Sequence, residues 1–152
     1  MILSSVTASG WPLGLALVAL LAYVLAALPG VPLERLAVPA LVVGVIAHAA
    51  MLSIDIGHVG LAGSAVRLGF GPVLSLTVCL VLVVHTVESR LLPVPAVRRA
   101  LAAAGIAAVA LALFFPGDLR TLGSRWAPVH WLLGVAAYGL FGAAVLHGLL
   151  LD

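Results

Sequence analysis

Two histidines, His48 and His130, lie within long apolar segments of the chain. An ionisable side chain inside a membrane span is energetically costly, so it normally has a partner, a ligand or a place on a transport path. Counting residues from the segment ends places both imidazoles near the same side of a bilayer. Two imidazoles at matched depth on different helices suit a haem iron or another transition metal as axial ligands. The alternative is that both rings form hydrogen bonds and simply pack.

Arg120 and Arg125 precede His130 in what we expect to be an outer loop. The planar guanidinium of arginine matches carboxylates, so either side chain could pair with a haem propionate or another anion. The alternative is an ordinary solvated loop. If a cofactor is present, we therefore predict His48 and His130 as metal ligands and Arg120 or Arg125 as propionate partners, with haem b as the cofactor.

The remaining histidines carry weaker signals. His85 and His147 form a second pair near the opposite, inner side, but His147 is about 100° out of phase with His130 on an ideal helix. We expect both to reach the interface or to bond locally. His58 lies in a glycine-rich connection and is expected to be solvated. Cys79 is the only cysteine, so no intrachain disulfide and no covalent C-x-x-C-H haem attachment can form.

The composition predicts a membrane protein. Hydrophobic residues make up 64% of the 152 residues and charged residues only 8%, whereas a soluble domain carries about 25% charged residues. No basic, aromatic-interleaved face suggests nucleic-acid binding. The sequence also contains no phosphate loop, nucleophile elbow or zinc-protease motif. We therefore predict a non-enzymatic protein.

Five apolar segments are long enough to span a bilayer, because a transmembrane helix needs about 20 residues. Proline- and glycine-containing breaks separate most of them. The predicted fold is an all-α helical bundle in a single transmembrane domain covering residues 1–152. The predicted spans are Trp11–Leu28, Leu33–Ile54, Phe70–Glu88, Val97–Phe115 and Pro128–Leu151.

Arginine distribution predicts the orientation, since cytoplasmic loops are enriched in basic residues. Arg90, Arg98 and Arg99 form a tight cluster at the short connection between the third and fourth spans. Placing this cluster inside puts the N-terminus outside and the C-terminus inside. Because the chain stops directly after an apolar run, we expect it to be the N-terminal part of a longer protein.

Four stretches together resemble the bacterial cytochrome c assembly membrane proteins, a family that includes CcsA- and CcmC-type haem handlers and a HemX-like branch. Their order and spacing are similar to the N-terminal half of a HemX-like member, over most of residues 33–152. The stretches are GVIAHA at 44–49, LGFGPVLSL at 68–76, VESR at 87–90 and VHWLLGVAAYG at 129–139. By this resemblance, His48 and His130 match histidines that recur in the family and are haem-ligand candidates.

The resemblance implies a multi-pass protein of the bacterial inner membrane that handles haem as a non-enzymatic factor of cytochrome c biogenesis. Its expected partners are the lipid bilayer, haem and other cytochrome c biogenesis or respiratory membrane proteins. Two alternatives stay open. The same histidines could serve a b-type cytochrome or a quinone-reactive membrane anchor. The bundle could also be a structural scaffold without a cofactor.

Overall fold

The computed structural model describes residues 10–62, 65–121, 124 and 126–151. These residues form five α-helices and two short β-strands. In chain order the elements are α1 (Gly10–Ala27), α2 (Val31–Ala62), β1 (Ala65–Leu68), α3 (Phe70–Glu88), α4 (Pro95–Phe114), β2 (Asp118–Thr121) and α5 (Ala127–Leu151). The prediction of a helical fold is confirmed, and each helix corresponds to one predicted apolar segment.

Proline and glycine set several of the helix boundaries. Between α1 and α2, Gly30 has a φ of 142°, a backbone conformation that other residues rarely adopt. Pro95 is the first residue of α4, a position where the missing amide hydrogen costs nothing. The apolar segment of α2, Glu34–Asp55, agrees with the predicted span, but the helix continues past Ile54 to Ala62. Its two late glycines, Gly57 and Gly60, each cost only about 1 kcal/mol within a helix.

The two strands form an antiparallel ribbon, which the sequence analysis did not predict. Leu68 pairs with Asp118, and Ala65 pairs with Thr121. The ribbon joins the connection that precedes α3 to the connection that precedes α5. Beside the Leu68–Asp118 pair, Gly117 has a φ of 75°. A Cβ at Gly117 would lie 2.6 Å from the carbonyl carbon of Leu68. Glycine is therefore required at this crossing.

The core is built from small side chains. α1 packs against α2 and α4, and α3 packs against α2, α4 and α5. Small residues let helix backbones approach closely, as in membrane helix pairs. The buried alanines include Ala16, Ala19, Ala26, Ala40, Ala47, Ala102 and Ala108.

Charged side chains bring helix ends together at both ends of the bundle. At the first end, Glu34 accepts from the Nη2 atoms of Arg98, at 2.6 Å, and Arg99, at 2.5 Å. Arg98 Nε also donates to the carbonyl of Ala26 at 3.4 Å. The end of α1 and the starts of α2 and α4 therefore meet here. At the second end, Arg67 Nε on the ribbon lies 3.6 Å from Asp55 Oδ1 on α2.

Within the described ranges, three helical segments are long and apolar enough to cross a membrane. They are Glu34–Asp55, Phe70–Glu88 and Pro95–Phe114. Two further apolar helical segments, Pro12–Ala27 and Val129–Val145, are shorter. Large apolar side chains are exposed along all five helices.

Candidate functional site

His48 lies at the centre of the bundle and is fully buried. The hydroxyl of Tyr23, on α1, lies 3.1 Å from His48 Nδ1. The hydroxyl of Ser75, on α3, lies 2.7 Å from His48 Nε2. Tyr23 and Ser75 are themselves fully buried. We name these three residues the buried triad, because one imidazole joins side chains from three helices.

Two glycines create the space for the Tyr23 ring. A Cβ at Gly44 on α2 would lie 2.7 Å from Tyr23 Cδ1, and a Cβ at Gly105 on α4 would lie 2.8 Å from Tyr23 Cε2. Both distances are shorter than van der Waals contact, so the ring fills a slot that only glycine leaves open. The rings of Tyr23 and His48 meet edge to face, with centroids 5.9 Å apart.

A neutral imidazole has one donor nitrogen and one acceptor nitrogen. In the buried triad the two hydroxyls can satisfy both nitrogens, whichever tautomer is present. A buried polar ring with both nitrogens bonded has its desolvation cost largely offset. Iron ligation at either nitrogen of His48 would therefore require the loss of a hydrogen bond to Tyr23 or Ser75.

His130 occupies a different environment. It is exposed and lines an open groove of about 480 Å³ between α3 and α5. We name this feature the α3–α5 groove. Its lining is otherwise mainly apolar, which is the usual character of small-molecule sites. Its lining residues are Leu68, Pro72, Val73, Leu76, His130, Trp131, Leu132, Gly134, Val135 and Tyr138.

The groove lies beside the first turns of α5. At Gly139 the helices are close, and a Cβ there would lie 3.2 Å from the Cβ of Leu80. At Gly134 nothing lies within 4 Å of the corresponding position. Gly134 and His130 both line the groove, so its open space lies beside the part of α5 that precedes Gly139.

The ribbon borders this groove and presents Arg120 on the same face. Leu68 lines the groove and pairs directly with Asp118. Directly opposed residues share a face of an antiparallel pair, and so do residues two apart on one strand. By this alternation Arg120, two residues after Asp118, shares the face of Leu68; it is exposed but is not among the residues that line the groove. Arg125 lies outside the described residues.

The structure does not bring His48 and His130 together. Ser75 on α3 faces His48 in the interior, whereas Pro72 and Leu76 on the same helix line the groove. His48 is buried and bonded in the interior, whereas His130 is exposed and lines the groove. Ligation of one iron by both residues stays a prediction.

The other sequence candidates lie apart from both features. His85 is buried at the first end of the bundle and lines a small cavity of about 40 Å³ with Arg98. Cys79 is buried in the core. The side chains of His58 and His147 lie outside the described residues. Within the part of the chain that the structure describes, no group of three or more His, Cys, Asp or Glu residues could hold a metal ion.

Sequence reasoning missed the partners of His48. Gly44 lies four residues before His48 in the second predicted span, and Ser75 lies within the third. Neither observation could identify Tyr23, because helix order and rotation decide which side chain faces the imidazole. The signal was the tyrosine itself, since a buried phenol needs a hydrogen-bond partner.

Comparisons of the chain with protein-family models, with curated proteins and with solved structures found no match.

Proposed function

We propose that this protein is a five-span protein of a bacterial inner membrane that handles haem as a non-enzymatic factor of cytochrome c biogenesis. The α3–α5 groove is its binding site, and the open, largely apolar groove lined by His130 is the observation that carries the proposal. Its partners are the lipid bilayer, haem and other cytochrome c biogenesis or respiratory membrane proteins.

The apolar surface supports membrane insertion. Three helical segments are long and apolar enough to span a bilayer, and α1 and α5 contain shorter apolar segments of their own. Exposed leucine, valine and phenylalanine side chains would be solvated by lipid rather than by water. In the proposed orientation the N-terminus is outside, and the first end of the bundle, with Arg98 and Arg99, faces the cytoplasm.

The residues of the groove fit haem in three respects. The apolar walls suit the macrocycle, His130 offers an imidazole nitrogen to the iron, and Arg120 on the bordering ribbon offers a guanidinium to a propionate. Arg125 remains the second propionate candidate. When bound, haem would supply an iron centre for delivery to an acceptor protein.

An absorption titration tests this proposal. The purified protein, reconstituted in lipid nanodiscs, is titrated with haemin, and protein-free nanodiscs correct for partition into lipid. We expect stoichiometric uptake with a shifted Soret band that His130→Ala loses. His147→Ala is a matched control, because it removes a histidine about 25 Å further along α5 at 1.5 Å per residue. No stoichiometric uptake by the wild type, or uptake indifferent to His130→Ala, overturns the proposal.

A structural scaffold is the second candidate, and the buried triad favours it. Both nitrogens of His48 have protein partners, so this histidine already has a packing role without any cofactor. A scaffold would remain colourless in the haemin titration. Its stability would still depend on Tyr23 and Ser75.

A further inference from the structure

We infer that the first end of the bundle binds the headgroup phosphate of an anionic phospholipid, whose acyl chains lie on the apolar surface beside it. This site is separate from the α3–α5 groove. The inference rests on the membrane insertion in the proposed function and does not depend on haem.

The charges of the described residues are divided unevenly between the two ends of the bundle. At the second end two arginines, Arg67 and Arg120, accompany two aspartates, so these charges cancel. At the first end four arginines accompany only two glutamates, Glu34 and Glu88. Excess arginine on the cytoplasmic side of a membrane protein attracts anionic lipid headgroups. We name the four residues the first-end arginines: Arg35, Arg90, Arg98 and Arg99.

The first-end arginines have N–H donors available for a phosphate. Glu34 is shared as a carboxylate partner by Arg98 and Arg99, so one negative charge serves two guanidinium groups. The side chain of Arg99 is still 39% exposed, and Arg35 and Arg90 are exposed. Each guanidinium has five N–H donors in a planar arrangement that matches phosphate oxygens. A headgroup phosphate would therefore add the acceptor oxygens that Glu34 alone does not supply.

A small cavity brings buried polar groups to the same place. It has a volume of about 40 Å³ and lies between α2, α3 and the start of α4. His85 and Arg98 are buried and line it together with Ser89. Because a water molecule needs about 10–15 Å³, the cavity has room for a phosphate oxygen or a bridging water but not for a whole headgroup. Basic recesses between membrane helices on the cytoplasmic side are typical headgroup sites.

Exposed aliphatic side chains next to the first-end arginines indicate an amphiphilic ligand. Leu91 and Leu92, which follow Arg90, are 84% and 76% exposed. Leu36, which follows Arg35, is also exposed. A free phosphate would leave these side chains in water, whereas acyl chains would cover them and remove apolar surface from water. The combination of positive charge and apolar surface therefore favours a phospholipid over a free anion.

Native mass spectrometry of the full chain, released from neutral detergent micelles, tests the inference. The probe is phosphatidylglycerol, phosphatidylcholine with the same acyl chains controls for apolar contact, and inorganic phosphate tests the free anion. We expect phosphatidylglycerol to bind at least about fivefold more tightly than phosphatidylcholine, and Arg90→Gln to weaken it about fivefold, as expected for one arginine at an anionic headgroup. Arg90→Lys should retain most of the binding. Arg120→Gln, which removes an exposed arginine at the second end, is the matched control and should leave the affinity unchanged.

Equal affinities for phosphatidylglycerol and phosphatidylcholine would overturn the inference, and so would equal losses in Arg90→Gln and Arg120→Gln. Displacement of phosphatidylglycerol by an equal concentration of inorganic phosphate would assign the site to the free anion and would also overturn it. These results would leave the haem proposal intact, because haemin uptake reports on the α3–α5 groove. Release of the chain from vesicles by alkaline carbonate would show that it does not insert, which would overturn both.

Discussion

Gly44→Ala is the substitution that most directly tests how the buried triad is packed. Gly44 faces one side of the Tyr23 ring and Gly105 faces the other. A new Cβ at Gly44 would lie 2.7 Å from both Cδ1 and Cε1 of Tyr23. The ring cannot simply retreat, because α4 lies behind it and its hydroxyl is bonded to His48 at 3.1 Å.

Two opposing effects determine how Gly44→Ala changes the free energy of unfolding. Replacing glycine by alanine within a helix stabilises it by about 1 kcal/mol, while overpacking a close-packed core costs about 1–3 kcal/mol. Gly14→Ala on α1 is the matched control, because nothing lies within 4 Å of its Cβ position. The helix-propensity term is common to both substitutions. The difference between their free energies of unfolding is therefore the packing cost, about 1–3 kcal/mol.

Equilibrium unfolding in mixed detergent micelles measures this difference. We expect Gly14→Ala to be neutral or stabilising and Gly44→Ala to be less stable than Gly14→Ala by the stated margin. In a Tyr23→Leu background, which removes the ring, the two substitutions should have similar effects. Equal effects of Gly44→Ala and Gly14→Ala in the wild-type background would refute the packing argument.

Three further predictions concern the other structural contacts. Ser75→Ala should lower the free energy of unfolding by about 1–2 kcal/mol, because it leaves a buried nitrogen of His48 unpaired. Ser53→Ala is the control: it removes an exposed hydroxyl bonded only within its own helix and should change the free energy of unfolding by less than about 0.5 kcal/mol. Equal losses in both variants would contradict the hydrogen bond between Ser75 and His48. Glu34→Gln should lower the melting temperature, because the buried guanidinium of Arg98 loses its carboxylate partner. An unchanged melting temperature would show that this ion pair does not stabilise the contact between the starts of α2 and α4. Gly117→Ala should destabilise by at least about 1–2 kcal/mol, since a residue with a Cβ is strained in the left-handed region, and hydrogen exchange should show faster exchange of the ribbon amides than in the wild type.

The helices could be predicted from the sequence because their signals are local. A span needs a continuous apolar run, and proline or glycine interrupts the run at a definite residue. The third predicted span, Phe70–Glu88, coincides with α3. The second predicted span, Leu33–Ile54, agrees with the apolar segment Glu34–Asp55. α2 itself continues to Ala62, because glycines in a connection and glycines within the last turns of a helix give the same local signal.

The ribbon could not be predicted from such signals. β1 and β2 each have four residues, and they pair across the whole of α3 and α4. Neither strand has an alternating pattern long enough to distinguish it from a loop. Their pairing depends on the close crossing of Gly69 and Gly117, which only the assembled helices bring about.

The candidate site was predictable in its residue types but not in its grouping. The cost of burying an imidazole correctly singled out His48 as a residue that needs partners. The partners could have been a metal or two hydroxyls, and the sequence alone did not decide between them. Matched depth also suggested that His48 and His130 share one ligand, but depth says nothing about which helices are neighbours.

α3 is the element that connects these observations, because it contributes residues to both the buried triad and the groove. Ser75 bonds His48 towards the interior, while Pro72 and Leu76 form a wall of the groove. The buried triad joins α3 to α1 and α2, and Gly139 brings the later part of α5 close to it. The triad thus holds in place the helix that forms one wall of the groove lined by His130.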